Sequence, residues 1–575
     1  MDNPLGKGLV VESVVQLRAR RRGGDGLAHQ QNPGDESGGA HATSSPPQGT
    51  AEAGRAYRKP GERAEGLLFA VLVALQLVPF WVVTTVPTTD GPSHVYNAFI
   101  QLHLGDPAYP QLGRAFALDP RPLPNWLSQV ALTTMLKVVS PATAEKLLLS
   151  AYAVLFLAAA RFFAGSVDPR RRWLSFLAFP FVLNWTLHFG FYNFCLSLAF
   201  YLLALGGWWR GRARPGPRRA AELTVLLLLC YFSHIVTVVL ALFSLGVLWL
   251  ATLPGAVRAG TWRRHLLHLA ILAPQVVLPL WFVAVRGAEA SAGTSSLREA
   301  LADLAGLRAL FTFGEPWLGI SLAALVLGLT LFTLAGRLRR EAGRLRWRWQ
   351  EEDAFLVLAA ALVAVYFLSP EDMSGGSLLQ LRLTLFPVLV LMAWLGPLDG
   401  SGATAWLRRM VVATLAVLAV WNVANVVRAW RSLDGEVQAV LAAADRIAPG
   451  SRVLSLMFDL YSDLPGPVLL IHPFNRVDTA KGLVDWSNYE AASGVFPIRF
   501  QPWVRVPTLW EIQRAPDTID IERFKAATDY VYCWRMPAGS LLARRLAQSY
   551  ELVRQAGEAR LYERRDRMAK EIVRK

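Results

Sequence analysis

Long apolar runs separated by short polar segments are the main pattern along this chain. After residue 62 the runs are roughly 16 to 21 residues long, about the length that a helix needs to cross a bilayer core. They begin near residues 66, 143, 173, 192, 266, 316, 354, 380 and 408, and a longer run, 221–253, is interrupted by Ser233-His234 and counts as two. We therefore predict about eleven membrane-spanning helices in residues 63–430.

The basic segments between the runs all fall on one side of the predicted bundle. Arginine clusters stand at 170–172, 210–219, 258–264, 337–348 and 408–409. Basic loops mark the cytoplasmic side, so the pattern predicts a cytoplasmic N-terminus and an outer C-terminus in a multi-pass protein of the cell (inner) membrane. The long loop 87–140 then faces outward.

Composition supports this interpretation. Apolar residues make up 53% of the 575 residues and charged residues only 18%, while the net charge is +16. Because the positive charges lie between apolar runs, they are explained by membrane orientation, and we expect no nucleic-acid partner. Membrane lipids are the expected surroundings.

The two ends differ from the apolar middle. Residues 1–62 are rich in Gly, Pro, Ser and Arg and predict a disordered, basic cytoplasmic tail. In residues 431–575 we predict a helix at 436–447, a turn at Pro449-Gly450, and strands at 453–456, 468–471, 530–533 and 560–562. The predicted fold class is mainly α: a polytopic transmembrane helical bundle with a small extracytoplasmic α/β C-terminal domain.

Polar residues that membrane insertion does not explain collect on the predicted outer side. They are Asp90, His94, His188, Asn193, His234, Glu315, Glu371, Asp372 and Arg382. Ionisable groups near membrane depth are costly unless paired or hydrated, so such a group of residues indicates a functional site. Two pairs of short spans meet at His188 and at His234, which predicts a polar recess open to the outer face.

Structural roles fit the same residues. Asp90, before Gly91-Pro92, suits a turn in which its side chain caps the next helix. His188 and His234 suit hydrogen bonds between helices. Arg382 suits a side chain that reaches up to lipid head groups, and Glu371 suits a solvated turn.

The segment Asp90-Gly91-Pro92-Ser93-His94, directly after a first span and in a long outer loop, resembles the GT-C superfamily of membrane glycosyltransferases. The many spans and the outer C-terminal domain are also similar. In that superfamily an acidic residue of the first outer loop activates the acceptor or binds a divalent metal, and the donor is usually a polyprenyl-phosphate-linked sugar. Many members carry paired acids at this position, whereas here Gly91 follows Asp90.

The resemblance implies a glycosyltransferase, for hexosyl or pentosyl transfer, with a lipid-phosphate-linked sugar as donor. Asp90 and His94 are then the catalytic candidates, and Asp90 is also the candidate ligand of a divalent cation, Mg²⁺ or Mn²⁺. Candidates for substrate binding are Arg382, His188, Asn193 and His234. A guanidinium group matches phosphate oxygens, which favours Arg382 for the lipid phosphate.

Two other functions fit the same chain. One is a transporter or lipid-handling protein without catalysis, although the sequence lacks a convincing internal repeat of spans and an ionisable residue clearly at mid-membrane. The other is an inactive scaffold whose outer domain binds a partner. Loss of function in an Asp90→Asn variant separates the enzyme from both.

Overall fold

The computed structural model describes residues 60–567 except 287–295, 315, 342–343, 372–377, 397–401, 463, 465 and 467–468. The predicted tail 1–62 therefore lies almost wholly outside the described residues, as do Glu315 and Asp372. The described residues belong to one compact unit.

Helices dominate the part of the chain in which spans were predicted. They are α1 Pro60–Trp81, α2 Gly91–His103, α3 Pro110–Ala115, α4 Trp126–Met135, α5 Pro141–Val167, α6 Trp185–His188, α7 Tyr192–Gly211, α8 Pro217–Ser233, α9 Ile235–Arg258, α10 Trp262–Leu272, α11 Val277–Arg286, α12 Leu297–Gly306, α13 Trp317–Arg337, α14 Ala354–Leu368, α15 Leu379–Leu383, α16 Leu385–Trp394 and α17 Gly402–Leu441. Between them, 3-10 helices run at Pro169–Phe181, Ala273–Val276, Arg308–Leu310 and Glu351–Asp353.

Six helical segments of the described residues are long and apolar enough to cross a membrane. They are Gly61–Trp81, Pro141–Val167, Ile235–Arg258, Trp262–Val285, Trp317–Arg337 and Gly402–Leu441. A shorter apolar helix covers Leu379–Trp394. The protein is thus a mainly helical membrane protein, whereas the predicted number of about eleven spans is not confirmed.

The predicted break in the run 221–253 is confirmed. Helix α8 ends at Ser233, the backbone of His234 is extended with φ −159° and ψ 129°, and α9 begins at the next residue. Hydrogen bonds between hydroxyl groups then tie α9 to α7, from Ser197 to Thr237 at 2.6 Å and from Tyr201 to Ser244 at 2.8 Å. The break turns His234 towards the interior of the bundle.

The predicted third span, 173–188, is wrong as a single α-helix. A 3-10 helix runs from Pro169 to Phe181, and the four-residue α6 follows after a short connection. Pro180 has no N–H group to donate within a regular helix, which favours a departure from α geometry there. The whole segment from Trp173 to Leu183 is buried, so its apolar character reflects packing inside the bundle.

Helix α17 is 40 residues long and leads from the bundle into the C-terminal region. The predicted helix 436–447 is therefore not a separate element: its first part belongs to α17, and a 3-10 helix follows at Ala444–Arg446. Near the end of α17, Asp434 accepts hydrogen bonds from the backbone N–H of Thr84, at 2.8 Å, and from the hydroxyl of Thr85, at 2.6 Å. This contact anchors the chain that follows α1.

The C-terminal region contains short helices and a mixed sheet. The helices are α18 Asn475–Lys481, α19 Tyr489–Ser493, α20 Leu509–Arg514, α21 Ile521–Phe524 and α22 Leu541–Ser549, with 3-10 helices at Pro516–Thr518 and Lys525–Ala527. The strands of the described residues are β1 Phe116–Leu118, β2 Leu338–Glu341, β3 Arg344–Trp347, β4 Arg452–Met457, β5 Val484–Asp485, β6 Ile498–Phe500, β7 Tyr530–Trp534, β8 Tyr550–Ala556 and β9 Ala559–Arg564.

Five of these strands form one sheet in the order β5-β4-β7-β9-β8. Strand β4 is parallel to β5 and β7, while β9 is antiparallel to β7 and β8. The predicted strands at 453–456, 530–533 and 560–562 are confirmed as parts of β4, β7 and β9. The predicted strand at 468–471 is wrong, because Leu469 and Leu470 lie in a turn; residue 468 lies outside the described residues.

The predicted outer loop 87–140 is folded and packs against the C-terminal region. It contains α2, α3, β1 and α4, and ten residues at the start of α2 are buried. Strand β1 pairs antiparallel with β6, where Phe116 lies opposite Phe500. The Tyr96 hydroxyl donates a 2.8 Å hydrogen bond to the carbonyl of Leu483. The two segments share a hydrophobic core, which brings their side chains together beside the bundle.

Candidate active site

Backbone hydrogen bonds to a segment far away in sequence hold Asp90 in place. The N–H of Thr89 donates to the carbonyl of His188 at 3.1 Å, and the N–H of Asp90 donates to that of Phe189 at 3.0 Å. His188 at the end of α6 and Phe189 in the connection to α7 thereby fix the start of α2. Asp90 is thus positioned by main-chain hydrogen bonds on a rigid scaffold.

Glycine is required at the point where the two segments touch. Gly190 has φ +81°, and a Cβ atom there would lie 2.5 Å from the backbone nitrogen of Gly91 and 2.7 Å from that of Asp90. A side chain at Gly91 would in turn meet the Tyr192 hydroxyl at 2.1 Å. Only residues without a Cβ atom allow this approach of backbone to backbone.

A buried polar network supports the same corner. The Tyr192 hydroxyl donates to Glu145 at 2.8 Å and lies 2.7 Å from the hydroxyl of Thr88. Arg476 of α18 forms an ion pair with Glu145 at 3.1 Å and donates to the carbonyl of Val86 at 2.5 Å. The carboxylate of Glu145 therefore has partners from the bundle and from the C-terminal region.

The Asp90 carboxyl group does not cap α2. Asp90 occupies the N-cap position of that helix, but its side chain makes no capping hydrogen bond. The carboxyl group instead accepts a hydrogen bond from the Tyr489 hydroxyl, and its Oδ1 lies 3.8 Å from Nε2 of His472. With 17% of its side chain exposed, Asp90 is mostly buried but still reachable from solvent.

His94 lies one turn further along α2, between two acceptors. Its Nε2 lies 3.0 Å from the carbonyl oxygen of Gly190, and its Nδ1 forms an ion pair with Glu490 at 2.7 Å. Gln129 donates to the other oxygen of Glu490 at 2.9 Å. Burial opposes a charge on His94, but the charge of Glu490 and the hydrogen bond to it, together with the charge of Asp90, raise the pKa of His94 above its ordinary value. The structure thus favours an imidazolium at position 94.

These surroundings adjust the acidity of Asp90. Burial raises the pKa of its carboxyl group to about 6, although the positive charge of His94 acts in the opposite direction. The negative charge of Glu490 adds to the increase, and the Tyr489 hydrogen bond and the charge of Arg382 reduce it. A carboxylate with a pKa near the working pH is suited to accept a proton from a substrate.

His472 beside Asp90 is a neutral ring. Burial lowers the pKa of His472 to about 3, and the charge of His94 acts in the same direction. Its ring stacks on that of Tyr489, with centroids 4.6 Å apart. The stack places the Tyr489 hydroxyl and the His472 ring next to the same carboxyl group, that of Asp90.

The structure brings two more predicted residues together, Arg382 and His234. Nη1 of Arg382 lies 2.9 Å from Nε2 of His234, and its guanidinium group lies over the Phe191 ring at 4.1 Å from the centroid. The charge of Arg382 also acts on Asp90 and on Tyr489. The predicted phosphate ligand and the predicted base therefore belong to one site.

His188 and Asn193 have structural contacts. His188 accepts a hydrogen bond from Trp430 at Nδ1, at 3.1 Å, and its ring also packs on Phe313. The side chain of Asn193 accepts from the N–H of Ser128 at 2.9 Å and donates to the carbonyl of Asn125. Glu371 is exposed, as expected for a solvated turn. Substrate binding by His188 and Asn193 stays a prediction.

Sequence reasoning missed Tyr489, Glu490 and His472. All three lie in the region that was predicted as a separate outer domain, about 380 to 400 residues after Asp90. Neither spacing nor hydrophobic period links residues at such a distance. The one local signal is the run Ser487-Asn488-Tyr489-Glu490, four hydrogen-bonding side chains in succession.

Comparisons with known proteins found a weak structural likeness. No family model matches the chain, and no curated protein matches it. Among solved structures, it is similar to the cryo-EM structure of the arabinofuranosyltransferase AftD from Mycobacteria, with 16% identity and a TM-score of 0.45 over 86% of this chain and 39% of that one. A mutant form of AftD matches with a TM-score of 0.44 and 16% identity, over 86% of this chain and 41% of that one. The chain thus spans about two fifths of the length of the solved structures that it resembles.

Proposed function

We propose that this protein is a membrane glycosyltransferase that moves a sugar from a polyprenyl-phosphate donor to an acceptor hydroxyl on the extracytoplasmic face. One observation carries the proposal: the Asp90 carboxyl group is held by backbone contacts, is not used as a helix cap, and has a pKa of about 6. A rigid, mostly buried carboxylate whose pKa lies close to neutral pH is the kind of group that acts as a general base.

In the proposed reaction Asp90 accepts the proton of the acceptor hydroxyl. The hydroxyl oxygen forms the new bond to the anomeric carbon, and the bond from that carbon to the lipid phosphate breaks, so that the electron pair leaves with the phosphate. The Tyr489 hydroxyl holds the carboxylate in one orientation through its hydrogen bond. His94, fixed between Gly190 and Glu490, supplies a positive charge that stabilises the ionised base.

Arg382 is the proposed partner of the leaving lipid phosphate. It is buried near the end of an apolar helix, stacked on Phe191 and in contact with His234. A guanidinium group in such a setting is oriented and poorly hydrated, which favours pairing with phosphate oxygens. Because its charge acts on Asp90, a donor phosphate at Arg382 would place the sugar close to the base.

The donor set near Asp90 does not fit a metal ion held by the protein alone. The described residues contain no group of three or more His, Cys, Asp or Glu side chains that could hold a metal ion. Both ring nitrogens of His94 face other acceptors, which leaves His472 as the single histidine beside Asp90. We therefore assign no step of the proposed reaction to a metal ion.

An Asp90→Asn variant tests the proposal. We expect turnover of a polyprenyl-phosphate sugar in liposomes to fall by roughly a hundredfold or more, as is typical when a positioned general base is lost. The melting temperature should stay the same or rise, because Asn is close in shape and removes a buried charge, and no capping hydrogen bond is lost.

An Asp106→Asn variant is the matched control, since Asp106 lies in the same loop, has 35% of its side chain exposed and bonds to its neighbours His103 and Ala108. It should keep wild-type turnover. Normal turnover by a folded Asp90→Asn protein would contradict the role of Asp90 as the base.

A further inference from the structure

A cavity of about 710 Å³ opens between the α12–α13 connection and α17. We call it the arginine cleft, since Arg308 and Arg428 line it together with Ala302, Thr312, Ile320 and Asn425. None of these residues belongs to the Asp90 site. Phe313, which also lines the cleft, packs on His188 and so separates the two.

Exposed tryptophan side chains lie next to the arginine cleft. Helix α13 begins at Trp317, between the lining residues Pro316 and Ile320, and the Trp317 ring meets Trp421 of α17 with centroids 5.6 Å apart. Both rings are exposed. Exposed Trp side chains are typical of the head-group region of a membrane, so this pair favours lipid next to the cleft.

The charges in the cleft favour an anion. Arg308 and Arg428 are exposed, and Asp303, at 2.8 Å from Arg308, offsets one of the two positive charges. Arg428 also donates to the side-chain oxygen of Asn425 at 2.5 Å.

We propose that the arginine cleft binds an anionic membrane phospholipid. Arg308 and Arg428 hold its phosphate, and an acyl chain follows the apolar wall at Ala302 and Ile320. Phosphate oxygens match the guanidinium donors, and the chain matches the apolar part of the lining. The site does not depend on the proposed transfer reaction, because the lipid carries no sugar.

Native mass spectrometry of the full-length protein in detergent tests this site. Titration with phosphatidylglycerol should give one lipid bound at lower concentration than the others, and phosphatidylcholine should bind at least tenfold more weakly. An Arg308→Gln/Arg428→Gln variant should lose roughly tenfold or more in phosphatidylglycerol affinity, as expected for lost charged hydrogen bonds. Asp303→Asn should bind phosphatidylglycerol more tightly than the wild type.

Arg431→Gln is the matched control, because Arg431 is an exposed arginine on the same helix that does not line the cleft. It should bind phosphatidylglycerol like the wild type. An equal loss in Arg431→Gln would show a general effect of surface charge and overturn the proposal.

An Ala302→Trp variant separates a lipid from free phosphate. The new side chain fills the apolar wall and leaves both arginines, so phosphatidylglycerol binding should fall while the melting temperature stays unchanged. Wild-type lipid binding by Ala302→Trp would overturn the lipid assignment. Complete displacement of phosphatidylglycerol by millimolar inorganic phosphate would overturn it as well. Equal affinity for phosphatidylcholine would overturn the role of the arginines.

Discussion

Asp90 combines two properties that usually conflict, since it is mostly buried and yet has to be charged to act as a base. Its pKa of about 6 exceeds the ordinary value of 3.8, because burial penalises the carboxylate. Below pH 3.8 the group is protonated in both folded and unfolded protein; as the pH rises through about 6 the folded state must ionise a buried group and loses stability. His94 and Tyr489 keep this cost small enough for the carboxylate to form.

The pH profile of a Tyr489→Phe variant tests this balance. For the wild type we expect kcat/KM to rise with pH and to reach half its plateau near pH 6, where Asp90 ionises. The Tyr489 hydrogen bond lowers the Asp90 pKa, so its removal should shift this acid limb to higher pH and leave the plateau much less affected. Tyr461→Phe, an exposed tyrosine, is the control and should leave the limb unchanged. An unshifted limb in Tyr489→Phe would contradict the positioning role of that hydroxyl.

At the residue scale, sequence analysis identified the residues whose polarity is unusual for their surroundings. Asp90, His94, His234 and Arg382 stood out because each follows or interrupts an apolar run, and the structure groups them in one site. Tyr489, Glu490 and His472 lie in a region where polar residues are ordinary. Their proximity to Asp90 comes from tertiary packing, which one sequence does not reveal.

At the element scale, the site depends on the crossing of two chain segments at Gly190 and Gly91. We expect Gly190→Ala to lower the melting temperature and to reduce turnover at least tenfold, because a Cβ atom 2.5 Å from the Gly91 nitrogen must push the Asp90 backbone away. Positive φ alone also costs stability, about 1 kcal/mol for a non-glycine residue.

Gly539→Ala provides the control for that backbone cost. Gly539 has φ +80°, nearly the same as Gly190, but a Cβ atom there would meet nothing within 4 Å. Its variant should therefore show the backbone cost and keep full turnover. If Gly190→Ala and Gly539→Ala lost equal stability and no activity, the close approach beside Asp90 would not matter for the site.

Helices could be predicted where an apolar run was not also compatible with a buried irregular segment. The break at Ser233-His234 could be predicted because two polar residues stand in the middle of 33 mostly apolar positions. The structure confirms it, since α8 ends at Ser233 and α9 begins at Ile235. The run 173–188 misled because an equally apolar sequence also suits a buried irregular segment, which Pro180 and tertiary contacts favour. Hydrophobicity reports burial, and burial in lipid and burial in protein look alike in sequence.

At the scale of the whole molecule, the loop 87–140 and the C-terminal region form one body. Their shared core joins Phe99 and Ile100 of α2 to Leu454 and Val531 of the sheet. They must therefore lie on the same side of the membrane, together with Asp90. The topology of this one body decides on which side the proposed reaction takes place.

We predict that this body lies outside, since the basic clusters alternate consistently along the chain. Single cysteines read by a membrane-impermeant maleimide test this, because the natural Cys195, Cys230 and Cys533 are free but buried. Gly105→Cys, at an exposed position after α2, should react in intact cells. Ala213→Cys, at an exposed turn in the basic cluster after α7, should react only after the cells are permeabilised. The opposite pattern would place Asp90 on the cytoplasmic side, where the site would meet a different pool of donors and acceptors, and the extracytoplasmic reaction would be excluded.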